Sequence, residues 1–136
     1  MNMRKQKDNK FIWSYTILRI LLGAMMVSAG YSKLLDTAGV TGMLEKIGFF
    51  YPIVFAWVLL LSELIFGLMF VMGYKTKYAC WPLAFILLVA DATVIVGKVG
   101  FFSPTSFFHL IGAISFIMFF FGGPGKLALE KNRDYY

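Results

Sequence analysis

IVFAWVLLLSELIFGLMFVMG, residues 53–73, decides how this chain folds. It holds a single charge, Glu63, and beside it one hydroxyl, Ser62. At 1.5 Å per residue, a helix of about 20 residues spans the roughly 30 Å hydrocarbon core of a bilayer. Three more apolar runs of similar length lie around it, at about residues 11–31, 78–97 and 105–122. Lipid offers no partner to backbone N–H and C=O groups, and none of the four runs alternates with the two-residue period of a strand. Four transmembrane helices are therefore expected. The fold class is all-α: an integral membrane four-helix bundle, one transmembrane domain over residues 1–136.

The rest of the composition agrees. Of 136 residues, 60% are hydrophobic and only 15% charged, with a mean hydropathy of +0.75. Soluble domains carry about a quarter charged residues, so a soluble fold is excluded, as are disorder, coiled coil and collagen. The net charge of +6 does not point to nucleic acid, because the Lys and Arg residues sit in short blocks beside the apolar runs, with no recognition motif. Cys80 is the single cysteine and His109 the single histidine. One chain thus offers no disulfide, no CxxC couple, no bis-histidine haem and no metal site. An electron carrier must be a bound small molecule or a partner protein.

Orientation follows the Lys and Arg bias. Arg4, Lys5, Lys7 and Lys10 precede the first run, Lys75 and Lys77 lie between the second and third, and Lys126, Lys131 and Arg133 follow the fourth. The other two connections hold Lys33, Lys46 and Lys98. Nine against three places both tails in the cytoplasm, in a bacterial-type inner membrane. The first run also has the flanks of a signal peptide, with Val27-Ser28-Ala29 as a cleavage-like site, but Arg19 interrupts it and it is long for such a segment.

The connection from about Ser32 to Pro52 contains Val40, Met43, Leu44 and Ile47 at helical spacing, with Asp36 or Thr37 available as a cap. A short interfacial helix on the outer face is expected there, between helices one and two; an irregular loop is the alternative. Gly122-Gly123-Pro124-Gly125 ends the fourth helix and begins the cytoplasmic tail.

Each run carries one ionisable side chain: Arg19, Glu63, Asp91 and His109. Such a group inside the bilayer costs about 2.5–3.5 kcal/mol on insertion scales, so the four are expected to face inward and meet. Counting from the ends of the runs puts Arg19 about 12 Å above the cytoplasmic boundary and Glu63 about 15 Å below the outer one, a candidate pair at the midplane. Asp91 and His109 form a second candidate layer nearer the outside. Small residues share each charged stripe: Gly23 and Gly30 with Arg19 and Lys33, Ala56 and Gly67 with Glu63, Cys80 and Ala84 with Asp91, Ala113 and Gly123 with His109. The stripes are open to three readings. They are structural ion pairs, a polar pocket for a quinone headgroup or proton, or lipid-facing residues that snorkel.

Three blocks resemble the DoxX family of small four-helix membrane proteins. RILLGAMMVSAGYSKL, residues 19–34, resembles its opening pattern of Arg, Gly, Gly and Lys-Leu. SELIFGLMFVMGYKTK, residues 62–77, is similar to its second-helix pattern of Glu, Gly, and Gly before a basic turn, and GPGKLALE, residues 123–130, to its closing Gly-x-Gly stretch. Glu130 stands where Asp is more usual. The resemblance implies a subunit of a membrane oxidoreductase such as thiosulfate:quinone oxidoreductase, a component of complexes that protect against oxidative stress, or a chaperone of other membrane proteins. Arg19, Glu63 and, secondarily, Lys33 fall on the family's recurring polar positions; Asp91 and His109 lie in more variable helices.

Two functions are therefore expected. In the first, the chain is a quinone-interacting membrane subunit, not catalytic alone, with a soluble redox protein docked on it. Arg19 and His109 then donate hydrogen bonds to quinone oxygens, and Glu63 or Asp91 accepts protons. In the second it is a non-catalytic scaffold or assembly factor for another membrane protein.

Overall fold

The computed structural model describes residues 3–96 and 103–129. The described residues form five helices: α1 (Met3–Leu35), α2 (Thr37–Ile47), α3 (Pro52–Met72), α4 (Thr76–Val96) and α5 (Pro104–Gly122). The all-α class holds, with the interfacial segment present as α2.

Local chemistry sets the boundaries. Residues 3–11 contain no Gly or Pro, so nothing stops α1 from extending 33 residues, well beyond the apolar run at both ends. The basic residues before the run therefore ride on helix, and Lys33 lies in the last turn of α1. Asp36 separates α1 from α2 and caps the latter, its carboxylate accepting from the Gly39 amide at 2.9 Å. Gly48, at φ 88°, closes α2. Pro52 starts α3, where its missing N–H costs nothing, and Gly73, at φ 65°, ends it. Ser103 caps α5 by accepting from the Ser106 amide, one residue ahead of Pro104.

Four long helices are present, but among the described residues three rather than four are long and apolar enough to cross a bilayer on their own account: Ile12–Leu35, Pro52–Met72 and Pro104–Gly122. The remaining long helix, α4, matches α3 at 21 residues; it lies against both α3 and α5 and buries Thr76 and Asp91 among them.

The bundle consists of two closely packed pairs, α1 with α3 and α4 with α5, joined by a lighter α3–α4 seam. On α1 the buried positions are Thr16, Arg19, Gly23, Met26 and Gly30; on α3 they are Ala56, Leu60, Glu63, Gly67 and Phe70. Steps of three and four make each a single seam, as in a coiled coil. Two glycines bring the backbones together. A Cβ on Gly23 would lie 2.6 Å from Val71 Cγ2, and one on Gly67 3.1 Å from the Val27 amide nitrogen. The centre is filled by Met26, Phe70, Leu83, Phe116 and Phe119, with the Phe70 ring edge-on to Phe116 at 4.9 Å and to Phe119 at 5.1 Å. Large apolar side chains such as Leu21, Phe85, Phe108 and Phe121 are exposed around the outside, as lipid contact requires.

Candidate functional site

The ionisable residues separate into two assemblies, one at each end of the bundle. At the end where α1 and α4 finish and α5 begins, the Lys33 ammonium donates to both Glu63 carboxylate oxygens, at 2.7 and 2.6 Å. The two helices run antiparallel, and each Cβ leans toward its own N-terminus, so the two side chains lean toward one another. Gly30 keeps the gap open: a Cβ there would meet Glu63 Cβ at 3.1 Å. The Glu63 side chain is 4% exposed and that of Lys33 is 28% exposed, so the pair is open at the lysine side.

The partner layer comes from α4 and α5. Asp91 is buried and accepts a hydrogen bond from the Ser106 hydroxyl, itself fully buried. One turn further along α5 stands His109, whose Nδ1 is buried and has no hydrogen-bond partner among the described residues. His109 is within electrostatic reach of both Asp91 and Lys33. All four long helices thus contribute a charged or titratable group to this end. Among the described residues no three His, Cys, Asp or Glu side chains are grouped to hold a metal ion.

Arg19 belongs to the other assembly. Its guanidinium is fully buried and donates to backbone carbonyls: Pro124 and Lys126 through Nη1, Leu127 at 2.9 Å and Val71 at 3.3 Å through Nη2. Thr16 assists, its hydroxyl accepting from the Lys126 amide at 2.9 Å. The Leu129 amide donates to Met72 O at 3.2 Å. Residues 123–129 therefore fold back as a strap across the base of the bundle rather than leaving it as a tail. Gly73 makes room for this contact, since a Cβ on it would lie 2.7 Å from both Ala128 Cβ and Arg19 Nη1. Glu130 lies outside the described residues.

Two pairings expected from the sequence do not form. Arg19 does not pair with Glu63 at the midplane, because its Nη groups are held by carbonyls level with the end of α3. The depth count began at the first apolar residue, whereas the bundle floor lies near Thr16 and Arg19, with α1 continuing beneath it. Asp91 takes the Ser106 hydroxyl as its hydrogen-bond partner, with His109 nearby. Both replacements had a signal in the sequence. Lys33 shares the seam of Arg19, fourteen positions along, and Ser106 precedes His109 by three on the same helix face.

A half-open recess of about 440 Å³ runs between α3 and α4, with Leu44 of α2 and Phe49, Phe55, Phe85 and Ile86 in its walls. It contains no ionisable side chain; Lys33, Glu63, Asp91 and His109 lie outside its walls. Chemically, the Lys33 end offers cationic and imidazole donors, two carboxylates and one hydroxyl within a low-dielectric bundle.

No curated protein and no solved structure matches the chain. The DoxX family model matches residues 14–97, which include Arg19, Lys33, Glu63 and Asp91 together with α2, and exclude His109 and the strap. With well over half of the sequence aligned, and with the aligned stretch holding the α1–α3 seam and its ion pair, the chain belongs to the DoxX family.

Proposed function

We propose that this protein is the quinone-interacting membrane subunit of an oxidoreductase complex, and that the Lys33, Glu63, Asp91 and His109 end receives the quinone headgroup. One observation carries the reading: the end of the bundle that holds the Lys33–Glu63 pair and the Ser106–Asp91 hydrogen bond also holds a histidine whose buried Nδ1 has no partner among the described residues. A quinone has two carbonyl oxygens that accept hydrogen bonds, and Lys33 and His109 are the donors available here. Reduction to the quinol consumes two electrons and two protons. In this reading Glu63 and Asp91 relay the protons, and a docked redox protein supplies the electrons. Arg19 is left out of this role, since it lies at the other end of the bundle with its Nη donors engaged by the carbonyls of Val71 and the strap. We place both termini on the cytoplasmic side of a bacterial-type inner membrane, on the Lys and Arg distribution alone.

The test uses the complex recovered from its native membrane in mild detergent. Glu63→Gln and His109→Ala are expected to abolish quinone-dependent turnover with membrane abundance unchanged. Parallel loss of turnover and abundance overturns the reading in favour of a folding role.

A second reading, a non-catalytic scaffold or assembly factor, draws on Arg19 and Asp91, whose hydrogen bonds stay within the protein. Under it, a Lys33→Leu/Glu63→Leu variant keeps its co-purifying membrane partner and no small molecule is found in the wild-type complex.

A further inference from the structure

We propose that the end of the bundle where α1 begins and residues 123–129 pack is a binding surface for anionic phospholipid headgroups, formed by the α1 extension with Lys75, Lys77 and Lys126. Charge is distributed very unevenly between the two ends. Among the described residues this end has Arg4, Lys5, Lys7, Lys10, Lys75, Lys77 and Lys126 against Asp8, a surplus of six positive charges. Among the described residues the opposite end has Lys33 and Lys46 against Asp36, Glu45, Glu63 and Asp91, a surplus of two negative charges. Arg19, the remaining cation of the described residues, is fully buried and meets no external anion.

The fold gathers the separate basic stretches. The strap meets the end of α3 through Leu129 N and Met72 O, so the turn bearing Lys75 and the strap bearing Lys126 form one rim. The α1 helix is 33 residues long, about 50 Å at 1.5 Å per residue, against a hydrocarbon core of about 30 Å. The excess, bearing Arg4, Lys5, Lys7 and Lys10, extends beneath that rim. Aromatic side chains mark the depth. Trp13 lies under the Lys126 ammonium, 5.7 Å from ring centre to Nζ, and Tyr74 bears the same relation to Lys75 at 5.6 Å. Trp13, Tyr74, Tyr78 and Trp81 are all exposed. Exposed Trp and Tyr occupy the boundary between hydrocarbon and headgroups, which puts the neighbouring ammonium groups at the level of lipid phosphates. A nucleic acid meets the same charge but not this ring of apolar anchors, so the lipid is the occupant the surface fits.

The full-length chain, purified in mild detergent, is presented with equimolar phosphatidylglycerol and phosphatidylcholine, and bound lipid is counted by native mass spectrometry. At least a fivefold preference for phosphatidylglycerol is expected, decreasing as salt is raised from low to high ionic strength. Each neutralised lysine near the surface is worth about fivefold, so Lys75→Gln/Lys77→Gln/Lys126→Gln is expected to erase the preference. Lys46→Gln, at the other end, leaves it intact. Helix content by circular dichroism checks the triple variant; should it fail to fold, exposed Lys75→Gln alone is expected to remove one such step. The proposal is overturned by no preference in the wild type, by its survival in a folded triple variant, by an equal loss with Lys46→Gln, or by displacement of the lipid with inorganic phosphate or a short RNA.

Discussion

Replacing Lys33 with leucine tests the ion pair at the centre of the candidate site. The ammonium bonds both oxygens of a carboxylate that is 4% exposed, and removing it leaves that carboxylate buried and unpaired. Breaking a buried pair from one side costs about 3–5 kcal/mol. Lys33 itself is 28% exposed, which admits solvent to one side of the pair, so the lower end, about 3 kcal/mol, is the expected cost. That is roughly a hundredfold in the folded-to-unfolded ratio. In Lys33→Leu/Glu63→Leu both charges are gone and two apolar side chains fill the seam beside Gly30, so a loss of about 1 kcal/mol or less is expected. The difference, about 2 kcal/mol, is the penalty of the stranded Glu63 carboxylate. Titrating the purified protein from mild detergent into sodium dodecyl sulfate, with helix content as the readout, measures the wild type and both variants. A single variant as stable as the wild type refutes the geometry. So does a double variant no more stable than the single one, because the penalty then comes from lost packing rather than from a stranded charge.

Arg19→Lys keeps the charge but cannot reach the carbonyls of Val71, Pro124 and Leu127 together; amide hydrogen exchange over residues 123–129 is expected to accelerate at least tenfold, with the outer end unchanged. Gly23→Leu forces side-chain atoms into Val71, where even a Cβ is 2.6 Å from Cγ2, and is expected to destabilise the bundle by about 1–3 kcal/mol or more, read as a lower detergent-unfolding midpoint. Asp36→Ala removes the acceptor for the Gly39 amide at the start of α2; a loss of about 1 kcal/mol, seen as faster exchange in α2 but not in α3, is expected.

Much of the fold could be read directly because lipid imposes a length rule. Residues 53–73 and the runs around them are long, apolar and without strand alternation, and α3 falls within one residue of the sequence reading at each end. The cap at Asp36 and the helix α2 were equally legible, since both depend on neighbours a few residues away. The extent of α1 was not, because apolarity marks where a helix meets lipid rather than where it stops; the polar residues from Met3 onward continue the same helix.

The sequence alone determined that this is an all-helical membrane protein of the DoxX type, that its ionisable residues avoid lipid, and which residues share each helix face. Those properties follow from composition, periodicity and the cost of charge in hydrocarbon, all carried by single segments. Which charge meets which was decided only by tertiary structure. Arg19 and Glu63 each face inward, yet the vertical offset between α1 and α3 brings Lys33 to Glu63 and leaves Arg19 at the floor of the bundle. That offset is set by Gly23, Gly30 and Gly67 nesting against the opposing helix. The partners Arg19 does take are backbone carbonyls of residues 124–127, groups that every sequence possesses and that no residue pattern singles out.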